Sequence, residues 1–501
     1  MRVWIALLLI ATAAPPVWGQ SGAGLDVPHA PTIPRVPPRR TNVVQLVDEN
    51  ISVAPIDGVS SDAVGLFPPD NIGITRDFWG DTPSDVLIPL ISRFDPNAMG
   101  TVKALRMRIY LTELNPPRGS NDWSVFAARL RYLIAAGALE QAEALLNSAN
   151  VEEPELTALW FDVGLLAQRV EKVCQLALHN TRLSPSLAHR VFCLARDNRW
   201  FDAALTLRVG ETVGTISQLD ADLLTLFLDP DLFDEMPDPL TPEQLTPLRF
   251  VIHEAMGLPR LPGALPLGYL HADLQNRVGW RDRLEGTERL VRSQAFGPGM
   301  LDFVYTEAKP AASGGVWDRV AAYQDLMTAF QEQDSRQIGA ALKRAVGVFS
   351  QVRLLYALAK QIEPQLNNAR LDHPESELAF MMLALAADGN PNVRLPKSAS
   401  PERVFMRDIL TDPARAVPTS PMQVAIKTAL TGAGETALPT RFATANHTGE
   451  AVLRALELLG MGGATNPAVV QDALSQLVAA GLTRDARAIA IEILVDSHVS
   501  A

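Results

Sequence analysis

The chain has 501 residues, of which 47% are hydrophobic and 20% are charged; this composition excludes a disordered protein and provides ample apolar material for a core. Its formal net charge of −12 excludes a general electrostatic attraction for nucleic acid or an anionic membrane surface, so we expect no nucleic-acid partner. Aromatic residues make up only 6%, which favours close-packed helices over strands.

Residues 1–19 have the pattern of a secretory signal peptide. Arg2 gives a positive start, residues 3–14 form an apolar run too short to cross a bilayer comfortably, and Val17-Trp18-Gly19 suits a cleavage site. We predict cleavage after Gly19 and a periplasmic or secreted mature protein; an uncleaved anchor is the alternative. No later stretch has eighteen uninterrupted apolar residues, so no transmembrane segment is expected after cleavage.

Residues 20–80 are expected to form a proline-rich, extended or irregular segment. The run PHAPTIPRVPPRR at 28–40 favours an extended or disordered chain. Closer to residue 80, the side chains of Phe67, Phe78 and Trp79 require burial, so this part should be ordered although it lacks helical periodicity.

Helical periodicity begins at Asp81, and we assign 81–394 to a helical repeat domain of an all-α fold. Three cap-then-proline pairs predict helix starts: Thr241-Pro242, Ser184-Pro185 and Asn466-Pro467. Four glycines that follow apolar helical runs predict helix ends: Gly137, Gly257, Gly389 and Gly481.

Three segments share one pattern at the turn between two helices. A leucine is followed four positions later by a residue that tolerates the left-handed conformation, and five positions after that by a small alanine. The three sets are Leu133, Gly137 and Ala142; Leu194, Asn198 and Ala203; Leu477, Gly481 and Ala486. Such a pattern predicts tight antiparallel helix pairs.

The pattern resembles that of the tetratricopeptide-type α-solenoids, whose repeats carry small residues at this turn. The copies here are unevenly spaced, and the tryptophan, tyrosine and terminal proline positions of that repeat are not regularly filled, so the resemblance concerns architecture over about 81–394 and again near the C-terminus. It implies a right-handed stack of helix hairpins with a concave surface that binds a protein partner.

Cys174 and Cys193 are the only cysteines of the chain. We expect one helix over 170–180, a turn over 181–184 and a second helix over 185–196. Each cysteine then lies roughly 14 Å from the turn, at the same level of the hairpin. This geometry and an oxidising compartment predict a disulfide. A zinc site with His179 and His189 matches no known ligand spacing, and the C-x-x-C motif of a redox pair is absent.

Two further regions follow the repeat domain. Residues 395–446 are rich in Pro, Ser and Thr and are assigned to a helical connector. Residues 447–501 are assigned to a C-terminal helix pair, whose last helix is expected to cap the stack.

No motif assigns a catalytic residue, a metal site or a cofactor. His253-Glu254 has no second histidine at zinc-protease spacing, and Ser313-Gly314-Gly315 is more typical of a flexible helix start than of an anion site. Glu375-Ser376 resembles the start of the lytic transglycosylase motif, but the Gly-Leu-Met-Gln element that should follow is missing. The sequence therefore favours an exported scaffold or adaptor that binds a protein or envelope partner. A helical enzyme acting on an envelope polymer such as peptidoglycan is the alternative.

Overall fold

The computed structural model describes residues 60–121, 123–149, 153–232, 240–261, 263–275, 278–371, 375–432, 446–460 and 462–499. Within these ranges the regular elements are helices, and the only extended pairings are isolated bridges between Phe67 and Thr112 and between Pro83 and Arg118. The predicted all-α class is therefore confirmed. The predicted signal peptide and most of the proline-rich segment lie outside the described residues.

The α-helices are Ser84–Ser92 (α1), Gly100–Tyr110 (α2), Ser124–Ala136 (α3), Leu139–Asn147 (α4), Pro154–Leu166 (α5), Val170–His179 (α6), Leu187–Arg196 (α7), Trp200–Val213 (α8), Gln218–Leu228 (α9), Pro247–Ala255 (α10), Trp280–Arg292 (α11), Gly299–Tyr305 (α12), Val316–Glu332 (α13), Ser335–Ser350 (α14), Leu355–Asn368 (α15), Glu375–Ala386 (α16), Pro401–Thr411 (α17), Pro421–Thr431 (α18), Thr448–Gly460 (α19), Pro467–Ala479 (α20) and Thr483–Val499 (α21). Short 3₁₀-helices occupy several of the connections.

Two of the predicted helix starts differ from the structure. Thr241-Pro242 begins only a 3₁₀ turn, Pro242–Gln244, and the α-helix starts at Pro247. The reason is Pro247 itself, because the residue before a proline is driven away from helical angles. The second displaced start is the one predicted at Ser184-Pro185. The helix begins at Leu187 instead, and the Ser186 side chain caps it. The Asn466 side chain caps α20 as predicted.

Consecutive helices contact each other through most of the described chain, and the α7–α8, α13–α14 and α19–α20 pairs are in especially close contact. One continuous hydrophobic cluster runs through these helices. All described residues belong to one unit, 57–501. The boundaries at 394 and 446 and the right-handed solenoid arrangement stay predictions.

The sequence predicts that the last helix, α21, caps the helical array, but the structure surrounds this helix with others. It packs against α2, α14, α16, α17, α18 and α20. Its residues 488–495 are all buried, which is typical of a helix that is surrounded on every side. The start and the end of the helical region are therefore in direct contact.

Several polar contacts hold this junction together. The Glu492 carboxylate of α21 accepts hydrogen bonds from the backbone amides of Gly100 and Thr101, both at 2.8 Å, and from the Thr101 hydroxyl at 2.5 Å. Arg108 of α2 pairs with Asp485 of α21. Because Met99, the residue at the N-cap of α2, provides no side-chain cap, Glu492 caps this helix from nearly four hundred residues away.

The irregular segment before α1 is ordered by burial. The side chains of Phe78 and Trp79 are each 1% exposed, as predicted, whereas Phe67 is half-buried. The Phe78 carbonyl accepts a hydrogen bond from the Gly449 amide at 2.8 Å. A Cβ at Gly449 would lie 2.6 Å from the Trp79 ring, so this close approach of α19 requires glycine.

Candidate functional site

The two cysteines form a disulfide between neighbouring helices. Cys174 on α6 and Cys193 on α7 have their Cα atoms 4.9 Å apart and their sulfur atoms at bonding distance. Both residues are buried. The His179 ring is hydrogen-bonded to the Gln175 carbonyl of its own helix, and the His189 ring is hydrogen-bonded to the Ser186 hydroxyl at 2.9 Å. Neither of these hydrogen bonds involves the sulfur atoms.

The three predicted turn residues take the same conformation. The φ angles are 77° at Gly137, 59° at Asn198 and 83° at Gly481. At each turn the next residue donates its amide to the carbonyl of the leucine five positions before it: Ala138 to Leu133, Arg199 to Leu194 and Leu482 to Leu477, at 2.8 to 2.9 Å. The leucines and the alanines of the pattern, Ala142, Ala203 and Ala486, are all buried.

The structure reveals a fourth copy of this turn that the sequence pattern missed. Gln168 has φ 60°, and the Arg169 amide donates to the Gly164 carbonyl at 2.8 Å. Here Gly164 replaces the leucine and Val173 replaces the alanine. A Cβ at Gly164 would lie 2.1 Å from Val173 Cγ1, so the large and small positions are exchanged. Gly137, Gln168 and Asn198 thus mark consecutive hairpins at intervals of 31 and 30 residues.

Helix α8 exposes a row of large apolar side chains, which we call the α8 ridge: Phe201, Leu205, Val209 and Val213. Their exposed fractions are 80%, 55%, 49% and 68%. Residues four positions apart form one continuous row on a helix surface, the kind of row that fits the groove of a second helix.

The opposite face of α8 is the buried one. Ala203, Leu207 and Gly210 face its neighbours α7 and α9, and a Cβ at Gly210 would lie 2.4 Å from Ile216. Charges beside the ridge are paired within the helix segment, Arg199 with Asp202 and Arg208 with Glu211. The ridge therefore offers apolar area without a strong local charge.

A cavity of about 530 Å³, the junction cavity, lies where α2 meets α21. Three cationic side chains line it: Lys103 from α2, Arg292 from the end of α11, and Arg353 from the turn before α15. Arg353 has φ 56°, the left-handed conformation of the other hairpin turns. Glu492 and Asp496, one helical turn apart on α21, line the same cavity.

The ionisable groups of the junction cavity are perturbed by their surroundings. Burial, reinforced by the nearby Arg292, lowers the pKa of Lys103 to about 8. Burial also lowers the pKa of Arg292, and repulsion from Arg353 acts in the same direction. Desolvation by the surrounding protein, followed by repulsion from Glu492, raises the pKa of Asp496 to about 7, although its side chain keeps access to solvent at the cavity rim.

The other candidate residues do not meet at this cavity. His253 is buried, and burial lowers its pKa. The Gly315 amide is occupied by the Asp318 carboxylate at 3.1 Å, so the Ser313-Gly314-Gly315 segment forms an ordinary helix start. Glu375 begins α16 and packs against Gly339 of α14. A Cβ added at Gly339 would lie 2.4 Å from the Cγ of Glu375.

In the ranges given above, no group of three or more His, Cys, Asp or Glu side chains is arranged to hold a metal ion. Across those same ranges, no helix combines the length and the apolar character needed to cross a bilayer.

Comparison of the chain with protein-family models, with curated proteins and with solved structures finds no match.

Proposed function

We propose that this protein is an exported binding protein, a scaffold or adaptor, and that the α8 ridge packs against an apolar helix of a protein partner. The observation that carries the proposal is the exposure of Phe201, Leu205, Val209 and Val213 in one row. Contiguous exposed apolar surface on a folded protein marks an interaction site, and burial contributes about 25 cal/mol per Å².

A helix is the partner that the spacing fits best. A four-residue interval places the ridge along one inclined row, which interdigitates with the grooves of a second helix. The paired charges beside the ridge supply no net field, which favours an apolar partner over a charged peptide.

Export into the periplasm remains part of the proposal. It is supported by the signal-peptide pattern of residues 1–19 and is compatible with the disulfide between Cys174 and Cys193. The recurrent hairpin turns support a TPR-like, right-handed repeat architecture for the helices that present α8.

The test is site-specific photocrosslinking in intact cells from Arg208, whose side chain is 81% exposed on α8. We expect one dominant partner in the wild type. Phe201→Asp combined with Leu205→Asp should abolish the crosslink and leave the melting temperature nearly unchanged, because surface changes usually cost less than about 0.5 kcal/mol. Phe303→Asp on α12, at another exposed apolar residue, is the matched control and should leave crosslinking intact.

Two outcomes would overturn the proposal. If sedimentation equilibrium gives a dimer that the double variant loses, the ridge binds a second copy of this chain instead. If no specific crosslink forms and the purified protein turns over peptidoglycan, the enzyme alternative replaces the binding function.

A further inference from the structure

The junction cavity gathers positive charge in a chain that is acidic overall. Lys103, Arg292 and Arg353 reach it from three different elements, and Lys103 is only 2% exposed. Placing like charges together in a partly desolvated space costs free energy unless a counter-charge is present. The Glu492 and Asp95 carboxylates offset part of the charge at Lys103, and Glu288 offsets part of that at Arg292, but the repulsion of these two cations by Arg353 remains.

The hydrogen bonds of these three cations leave at least one N–H donor unused on each of them. Lys103 Nζ donates to the carbonyls of Pro96 at 2.8 Å and Arg292 at 3.2 Å. Arg292 Nη1 donates to the Val352 carbonyl at 3.1 Å, and Arg353 donates to the Asn97 carbonyl. A guanidinium carries five N–H donors and an ammonium three, so capacity for an acceptor remains on each.

Protein carboxylates do not provide that acceptor. Among the residues that the structure describes, none of the three cations has a carboxylate oxygen within 4.0 Å. Both oxygens of Glu492 are engaged by the N-terminus of α2. Asp496 lies at the rim, and desolvation and Glu492 oppose its ionisation.

The remaining lining suits the organic part of a ligand. Met99, Leu355, Met422, Leu459 and Ile493 provide apolar walls beside the cations. A volume of about 530 Å³ lies in the range of small-molecule sites, which combine apolar walls with a few placed polar groups.

We propose that the junction cavity binds a small organic molecule through a phosphate or carboxylate group, held by Lys103, Arg292 and Arg353. Both groups are anions with several acceptor oxygens, and arginine binds either in a bidentate manner. This site is separate from the α8 ridge, and it does not depend on the function proposed for that surface.

The test is calorimetric titration of the full chain with inorganic phosphate and, separately, with citrate, at constant ionic strength set with sodium chloride. We expect saturable binding of at least one probe. Arg353→Gln and Arg292→Gln should each weaken it at least tenfold. Arg344→Gln is the matched control, because Arg344 lies on α14 with a 60% exposed side chain that pairs with Asp325.

The titrations decide whether the site exists and which class of ligand it binds. Binding of phosphate alone assigns a phosphate-bearing ligand, and binding of citrate alone assigns a carboxylate. Arg353→Lys, which keeps the charge, should retain more affinity than Arg353→Gln if the charge is what binds, and circular dichroism shows whether each variant is folded. Absence of binding to both probes at about 10 mM, a concentration above the millimolar end of the affinity scale, or equal affinity in folded wild type and folded cavity variants, would refute the site.

Discussion

At four of the hairpin turns, the residues Gly137, Gln168, Asn198 and Gly481 adopt the same left-handed backbone conformation. Gly137, Asn198 and Gly481 are of the types that favour this conformation, so the sequence pattern found them. Glutamine at position 168 is not one of these types, and Gly164 and Val173 also exchange the large and small positions. The sequence pattern therefore does not include this turn. A pattern that also allows a small residue followed nine positions later by a large one would include this turn.

Removal of the disulfide tests its role at the residue scale. Cys174→Ser combined with Cys193→Ser should lower the free energy of unfolding by about 3 kcal/mol, because the loop between the cysteines is no longer constrained in the unfolded chain. The fold should survive, since helix burial supplies most of the stability. Thermal denaturation followed by circular dichroism measures the effect. Free thiols in the native wild-type protein would contradict the pairing.

The Asp496 carboxyl group predicts a pH dependence of stability. Its folded pKa of about 7 lies above its ordinary value of 3.8, so the folded state binds the proton more tightly than the unfolded state does. Stability due to this group is present below pH 4 and falls as the pH rises towards 7. Asp496→Asn should therefore raise the melting temperature at pH 8 and leave it unchanged at pH 4.

Denaturation of both proteins across this pH range is the measurement. Glu332→Gln, at the exposed last residue of α13, is the control for removal of a carboxyl group outside the junction cavity. An equal effect of Asp496→Asn at pH 4 and pH 8 would show that the carboxyl group is not perturbed.

At the scale of the element, α2 depends on partners that are distant in sequence. Its own N-cap residue offers no side-chain hydrogen bond, and Glu492 supplies the acceptors instead. The first residue of the helix is Gly100, where a Cβ would lie 2.7 Å from the Tyr356 ring. The absence of a local cap signal explains why sequence inspection did not place this helix start.

Two glycine-to-alanine substitutions in helices should have opposite effects. Gly100→Ala should destabilise the protein by about 1–3 kcal/mol, because the added methyl group collides with Tyr356. Gly347→Ala in α14 should stabilise it by about 0.5–1 kcal/mol, since a Cβ there meets no atom within 4 Å. Urea denaturation of both variants gives the comparison. A stabilising Gly100→Ala would show that α2 and Tyr356 are not in close contact.

At the scale of the whole described unit, the final helix joins the two ends of the helical region. A capping helix would bury one face, whereas α21 buries residues 488–495 on all sides and packs against both early and late helices. The sequence indicates burial on all sides of this helix, because the segment IAIEILV at 489–495 is apolar at nearly every position. Position at the end of a repeat array favours a cap, whereas this pattern favours burial on all sides, as the structure shows.

Truncation distinguishes the two roles of α21. A chain that ends at Gly481 should lose its cooperative unfolding transition, because the truncation exposes the cores of α2, α16 and α18 and leaves the Gly100 and Thr101 amides uncapped. Differential scanning calorimetry measures this loss. Removal of only Ser500 and Ala501 is the control. A cooperative transition within a few degrees of the wild type would restore the capping role.

The amino-acid sequence by itself determined the helical class, three of the hairpin turns and the cysteine pairing. These features depend on local periodicity, on residues suited to the left-handed conformation and on two positions only nineteen residues apart. Only the tertiary structure decided the central position of α21, the capping of α2 by Glu492, the junction cavity and the exposure of the α8 ridge. Each of these depends on which distant helices pack together, and an apolar helical row in the sequence is the same whether a neighbour covers it or not.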